Sequence, residues 1–139
     1  MISYETIKKY SINNRPEVNN SRQVYEELKD LFTESKELLI VFHINTRNKI
    51  ICREIVHIGG LNSCIIDPKC IFRNAITLNA NSIIIAHNHP SSDLEPSQED
   101  KDMNRRIRQC GEILQLRVID HIIFNHEDYK SIGGVNNDF

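Results

Sequence analysis

No apolar run in this 139-residue chain approaches the length of about twenty residues that a membrane-spanning helix needs. The opening segment, MISYETIKKY, lacks the apolar core of a secretory signal. With neither feature present, the expectation is a cytoplasmic protein without a membrane segment. Excess charge is missing too. Seventeen Lys and Arg against nineteen Asp and Glu leave a net charge of −2, so bulk charge gives nucleic-acid binding no support. The one basic run, RRIR at 105–108, falls in a helical stretch with acids nearby and reads as a solvated helix face. No C-x-x-C pair occurs among Cys52, Cys64, Cys70 and Cys110. Three of the four lie within or beside apolar segments, so they read as reduced thiols in or near the core, not as disulfides or zinc ligands. Internal repeats and low-complexity segments are absent.

What is present is enough for one domain. A chain of this length with 40% hydrophobic residues can bury a core without staples. Residues 1–18 are polar and weakly patterned, with NNRPEVNN as a loop. NSRQVYEELKDLF then predicts a helix: Asn20 and Gln23 are spaced as an N-cap and its third-position partner, and Val24, Leu28, Leu31 and Phe32 share one face beside Tyr25. ELLIVFHIN and KIICREIVHI predict a strand hairpin about TRN. GGLN breaks the second strand. Asp67 caps a helix with Pro68 in its first position and an apolar face of Ile71, Phe72, Ala75, Ile76 and Leu78. SIIIAH is a short apolar strand, a helix runs from Ser97 to about Gln109, and LQLRVIDHIIF holds the last strand. The tail GGVNNDF is expected to fray. The order helix, hairpin, helix, strand, helix, strand predicts an α/β fold, a mixed sheet flanked by helices.

The chemistry concentrates in AHNHPSSDLEPSQED, residues 86–100. His87 and His89 are two apart, so in extended chain their imidazoles point the same way and can chelate one ion. They sit where an apolar strand ends, a common place for sites in α/β sheets. A catalytic zinc needs a third protein ligand and leaves a fourth position to water. Asp100, on the first turn of the next helix, is the candidate. Ser97 and Asp100 also form S-x-x-D, a capping-box variant, and helix capping alone would account for both of them. It would not account for the histidines. Upstream, one face of IICREIVHI reads Ile50, Cys52, Glu54, Val56, Ile58. Alternation of this kind predicts a buried face carrying Glu54, a carboxylate that must protonate, pair or serve a function. Against this stand the opposite face (Ile51, Arg53, Ile55, His57) and the possibility of an edge-strand acid reaching solvent.

Glu54, then His87-x-His89, seven residues, then Ser97-x-x-Asp100 resembles the JAMM motif, also called MPN-plus or JAB, of metalloproteases. LNANSIIIAHNHPSSDLEPSQED and VIDHIIF look more closely like the RadC family of bacterial proteins, over residues 16–133. The resemblance implies a cytidine-deaminase-like sandwich over 16–133, with 1–15 as an N-terminal tail or extension and 134–139 as a C-terminal tail. It implies that His87, His89 and Asp100 hold one zinc ion per chain, that Glu54 is the general base, and that Ser97 helps stabilise an oxyanion. Asp120 and His121 match a recurrent RadC segment that comes with no role, and they read as structural. Two departures stand out. Ser92 replaces the family's usual glycine, at a conformational cost if that position requires positive φ. The DNA-binding helix-hairpin-helix region of longer RadC proteins does not fit in a chain this short.

The function so implied is zinc-dependent hydrolysis of an amide or isopeptide bond in a peptide or protein substrate. The rival from another class is a DNA-associated accessory or interaction module that retains the metal site without efficient catalysis. An HNH nuclease is discounted, because that name refers to residues spread over a ββα unit. A zinc deaminase needs H-x-E and P-C-x-x-C, and neither occurs.

Overall fold

The structure, a computed structural model, describes residues 6–32, 36–60, 66–132 and 139. Its strands are β1 (Ile7–Lys9), β2 (Leu38–Ile44), β3 (Ile50–Ile58), β4 (Ser82–Asn88), β5 (Arg117–Phe124) and β6 (Tyr129–Ser131), and its helices are α1 (Ser21–Glu26), α2 (Pro68–Thr77) and α3 (Gln98–Leu114). All six strands lie in one sheet, ordered β1-β3-β2-β4-β5-β6. Among the described residues, only β4 and β5, connected through α3, pair in parallel. α1 packs on one face with Ile40, Phe42, Ile84, Ala86 and Ile122. α2 and α3 cover the other, where Ile71, Phe72, Met103 and Ile107 meet Leu39, Val41, Ile83 and Ile85. Every residue of the central strands β2 and β4 is buried. Helices on both faces explain why these strands read as continuous apolar runs with no alternation. The α/β sandwich with a mixed sheet and flanking helices is therefore present.

The first helix is shorter than its periodicity suggests. Asn20 does cap it, its side chain accepting from the Gln23 N–H at 3.0 Å. α1 nevertheless stops at Glu26, and a 3₁₀ turn follows at Lys29–Leu31. The cause lies outside the helix. Arg53 donates to the Glu27 carbonyl at 3.0 Å, an acceptor that a continuing helix would need for the Leu31 N–H. Arg53 also grips both Asp30 oxygens, at 2.7 and 2.9 Å. Val24, Leu28 and Leu31 are buried all the same.

The hairpin forms as expected, but the alternation along β3 does not hold. Its register against β2 shifts twice, leaving Ile51 and Val56 without an opposing residue. Each shift reverses which face the following residues use. The supposed buried face therefore breaks up: Ile58 is 49% exposed, while Arg53 and Ile55, assigned to the other face, are 3% and 4% exposed. β3 is also no edge strand. β1 pairs with it on the outside, bringing Ile7 opposite Glu54. That strand falls in the stretch read as an N-terminal tail or extension, and three residues with a single apolar member leave little pattern to detect.

Toward the C-terminus α3 runs five residues past the expected Gln109, through Gly111 to Leu114, and Gln115 then turns left-handed (φ 56°). Glycine at 111 lets the chain fold back tightly, since a Cβ there would press on the Leu116 carbonyl. Gly111→Ala should lower stability by about 1–3 kcal/mol despite alanine's better helix propensity, because the obstacle is backbone; thermal unfolding would show it. Within RRIR, Arg105 and Arg106 are exposed, but Arg108 is half-buried and donates to the Val118 carbonyl at 2.9 Å. It is part of the packing between α3 and β5, not a solvated charge. β6 went unpredicted, and Cys64 and most of the GGVNNDF tail lie outside the described residues. Phe139, at the end of that tail, donates its N–H to the Asn19 carbonyl at 2.9 Å and packs on the core, so the chain end is not frayed there. Cys52, Cys70 and Cys110 are free, as expected of reduced thiols.

Candidate metal centre

β4 delivers the two histidines to a fixed place. Asn88, between them, is 4% exposed and clamps the strand end: its Oδ1 accepts from the Leu38 N–H at 2.6 Å, and its Nδ2 donates to the Lys36 carbonyl at 2.9 Å. The His89 N–H donates to the Phe124 carbonyl of β5 at 2.9 Å. The loop then returns to start α3 beside the histidines. Ser97 and Asp100 form a complete capping box, with the Asp100 N–H on Ser97 Oγ at 3.1 Å and the Ser97 N–H on Asp100 Oδ2 at 2.9 Å. Asp100 thus belongs both to the cap and to the cluster with the two histidines. The cap aims Asp100 at the histidines.

Three electron-pair donors converge there. His87 Nε2 lies 3.3 Å from His89 Nε2 and 3.2 Å from Asp100 Oδ1, and His89 Nε2 lies 3.1 Å from Asp100 Oδ2. A tetrahedral ion with ligands at about 2.0 Å sets them about 3.3 Å apart. Each closest approach has the length of a tetrahedron's edge, with His87 meeting Oδ1 of Asp100 and His89 meeting Oδ2. They are the group of His, Cys, Asp and Glu side chains, among the described residues, that could hold a metal ion. The far side of His89 is fixed as well, its Nδ1 standing 3.0 Å from the Asp93 carbonyl, which can only accept. His89 thus carries hydrogen on Nδ1 and turns Nε2 inward. This matches the outer support usual for metal-binding imidazoles.

Burial works to raise the Asp100 carboxyl, but its contacts with His87 and His89 outweigh burial and hold it well below the usual carboxylate range. The Asp100 carboxylate in turn raises His89 above its ordinary value, against burial. The metal-free site thus keeps Asp100 charged and holds a proton on His89 more strongly than an ordinary imidazole does. A cation entering the site must displace that proton, so metal affinity should fall as pH is lowered through the raised His89 range. Zinc titrations at pH 6 and pH 8 should show weaker binding at pH 6.

Residues 18–137 match the profile of the RadC-like JAB domain. The chain belongs to the RadC-like JAB domain family. It is 39% identical over 123 residues to a UPF0758 protein of Chlorobium chlorochromatii, covering 88% of this chain and 55% of that one. It is likewise 39% identical over 132 residues to one of Bacillus cereus, covering 95% and 56%. A UPF0758 protein of Staphylococcus haemolyticus shares 38% over 125 residues, 90% and 53%. This RadC-like chain spans a little over half the length of these relatives.

Within this RadC-like JAB domain, Glu54 stands apart from the triad. Val41 pairs with Glu54 on one side and Ile85 on the other, so Glu54 shares a sheet face with Ile85 and His87. Two strand spacings, about 10 Å, separate β3 from β4. The Glu54 carboxylate accepts from Asn74 of α2 and lies 3.4 Å from His43 Nε2. Its side chain is 12% exposed. Ser97 is exposed, and the cap uses its Oγ as acceptor, leaving the O–H to donate elsewhere. Ser97→Ala should cost about 1 kcal/mol of stability through the lost cap, and Ser97→Asn should restore most of it; melting temperatures check both. Ser92 is not among the described non-glycine residues with positive φ, so serine carries no left-handed strain there.

The structure separates Asp120 from His121, which the sequence left together as structural. Adjacent strand residues point to opposite faces. Asp120 is fully buried and accepts from Ser21 of α1 at 2.5 Å and from Ser131 of β6, joining helix, sheet and edge. This is a structural role. His121 lies against the candidate metal group, and its Nε2 is 2.8 Å from His87 Nδ1. In the sequence it stood out only as a histidine in a largely apolar strand and as part of the recurrent RadC segment that comes with no role.

Proposed function

We propose that this domain is a zinc-dependent hydrolase that cleaves an amide or isopeptide bond in a peptide or protein. The convergence of His87 Nε2, His89 Nε2 and the Asp100 carboxylate at tetrahedral-edge separations carries this reading. When bound there, zinc supplies Lewis acidity, which makes water nucleophilic near neutral pH and polarises a carbonyl. His87, His89 and Asp100 hold the ion, and Asp100 adds the one negative charge of the ligand set. Glu54 accepts the proton of the attacking water and hands it to the leaving amine. The Ser97 hydroxyl, on the exposed rim, donates to the developing oxyanion.

One observation favours a second reading, an accessory or interaction module that keeps the metal site without efficient catalysis. The Glu54 carboxylate is engaged by Asn74 and His43, and no contact with the triad occurs among the described residues. As a base, Glu54 must give up the long His43 contact and turn along the sheet face. Incubating zinc-loaded protein with peptide and isopeptide-linked substrates separates the two readings. Cleavage that depends on both zinc and Glu54 supports the hydrolase, and zinc binding with no cleavage of any of them supports the module.

A further inference from the structure

We infer that His121 and Asn104 are positioning residues that fix the tautomer of His87 and so turn its Nε2 lone pair to the metal; this rests on the metal-centre reading. The deduction starts from Arg108, whose guanidinium can only donate. Its Nε lies 3.2 Å from the side chain of Asn104, so the amide atom facing it is the acceptor Oδ1. That same Oδ1 lies 3.3 Å from His121 Nδ1. Facing an acceptor, His121 Nδ1 carries the hydrogen, and in a neutral ring His121 Nε2 is then the lone pair. At 2.8 Å it can only accept from His87 Nδ1–H. His87 Nε2 is thereby left with its lone pair aimed between His89 Nε2 and Asp100 Oδ1.

The polarity of the whole chain is thus dictated by a permanent donor on α3 and carried across the β4–β5 pair to the ligand. His87 and His121 are both 0% exposed, so bulk solvent does not reach either ring. Without the relay, His87 could place its hydrogen on Nε2 and donate to Asp100, the form that cannot bind a metal there.

The test uses two readouts on the full chain: zinc affinity by competition with a chromogenic chelator, and the neutral tautomer of His87 by nitrogen-15 NMR of the metal-free protein. His121→Phe removes the acceptor and should weaken zinc binding by about 10–100-fold and shift His87 toward the Nε2–H form. His121→Gln keeps an acceptor oxygen and should recover most of the affinity. If His121→Phe does not fold, Asn104→Leu takes its place, with a smaller loss in the same direction expected. Undiminished zinc affinity in the folded variant, or His87 as the Nε2–H tautomer in the wild type, would overturn the relay. A wild-type protein that binds no zinc overturns the metal centre instead, and the tautomer measurement still decides the relay.

Discussion

In the His89→Ala variant, bound zinc should drop from about one ion per chain to nearly none. His89 is the better ligand to remove, because its side chain is 17% exposed while that of His87 is fully buried. Truncating His87 would also leave a hole behind β4 and strip His121 of its partner, confusing a loss of metal with a loss of packing. The fold should survive His89→Ala, since both hydrophobic clusters lie along the sheet faces and neither includes the triad. The stabilisation conferred by metal should vanish with the site. At a free zinc concentration one hundred times the dissociation constant, that stabilisation is about 2.7 kcal/mol. For a chain of this size it corresponds to a melting shift of roughly 5–10 °C. Wild type should show this shift on zinc addition, and the variant should show none.

Glu54→Gln should leave zinc content unchanged and reduce cleavage by about 10²–10⁴-fold, the usual contribution of a positioned general base. The amide is nearly isosteric with the carboxylate and can keep an acceptor oxygen for the Asn74 amide, so the fold has no reason to change. The informative comparison is with Asn74→Ala, which frees the carboxylate without removing it. Retained activity in Asn74→Ala beside lost activity in Glu54→Gln identifies proton transfer, as opposed to the hydrogen bond between α2 and β3, as the function of Glu54. Equal turnover by wild type and Glu54→Gln would exclude the base.

The clustering of His87, His89 and Asp100 was legible in the sequence because its elements are local. Two histidines on one extended strand and an acid in a capped first turn need only strand periodicity and helix-cap chemistry to be placed. The helices and the four longer strands were legible for the same reason, and Asn20 and Asp67 cap as their spacing suggests. What escaped was set by partners far along the chain. Arg53, twenty-six residues beyond Glu27, takes the carbonyl that ends α1. The shifts that leave Ile51 and Val56 unpaired come from the fit of β3 to β2 and undo a clean alternation. β1 and β6 are three residues each and take their order from the strand beside them. His121 sits thirty-four residues from His87, and nothing in VIDHIIF says which face its imidazole will meet. Glu54 was picked for a sound reason, an acid on a covered strand, although the partners it meets are Asn74 and His43.

X-ray absorption at the zinc edge on the wild-type protein tests the proposed centre most directly. The expected result is one zinc per chain in a four-coordinate shell of nitrogen and oxygen at about 2.0–2.1 Å, with the outer scattering of two imidazoles. A shell containing sulfur at about 2.3 Å would place the ion on the cysteines and contradict the assignment of His87, His89 and Asp100, as would a protein that takes up no zinc at all.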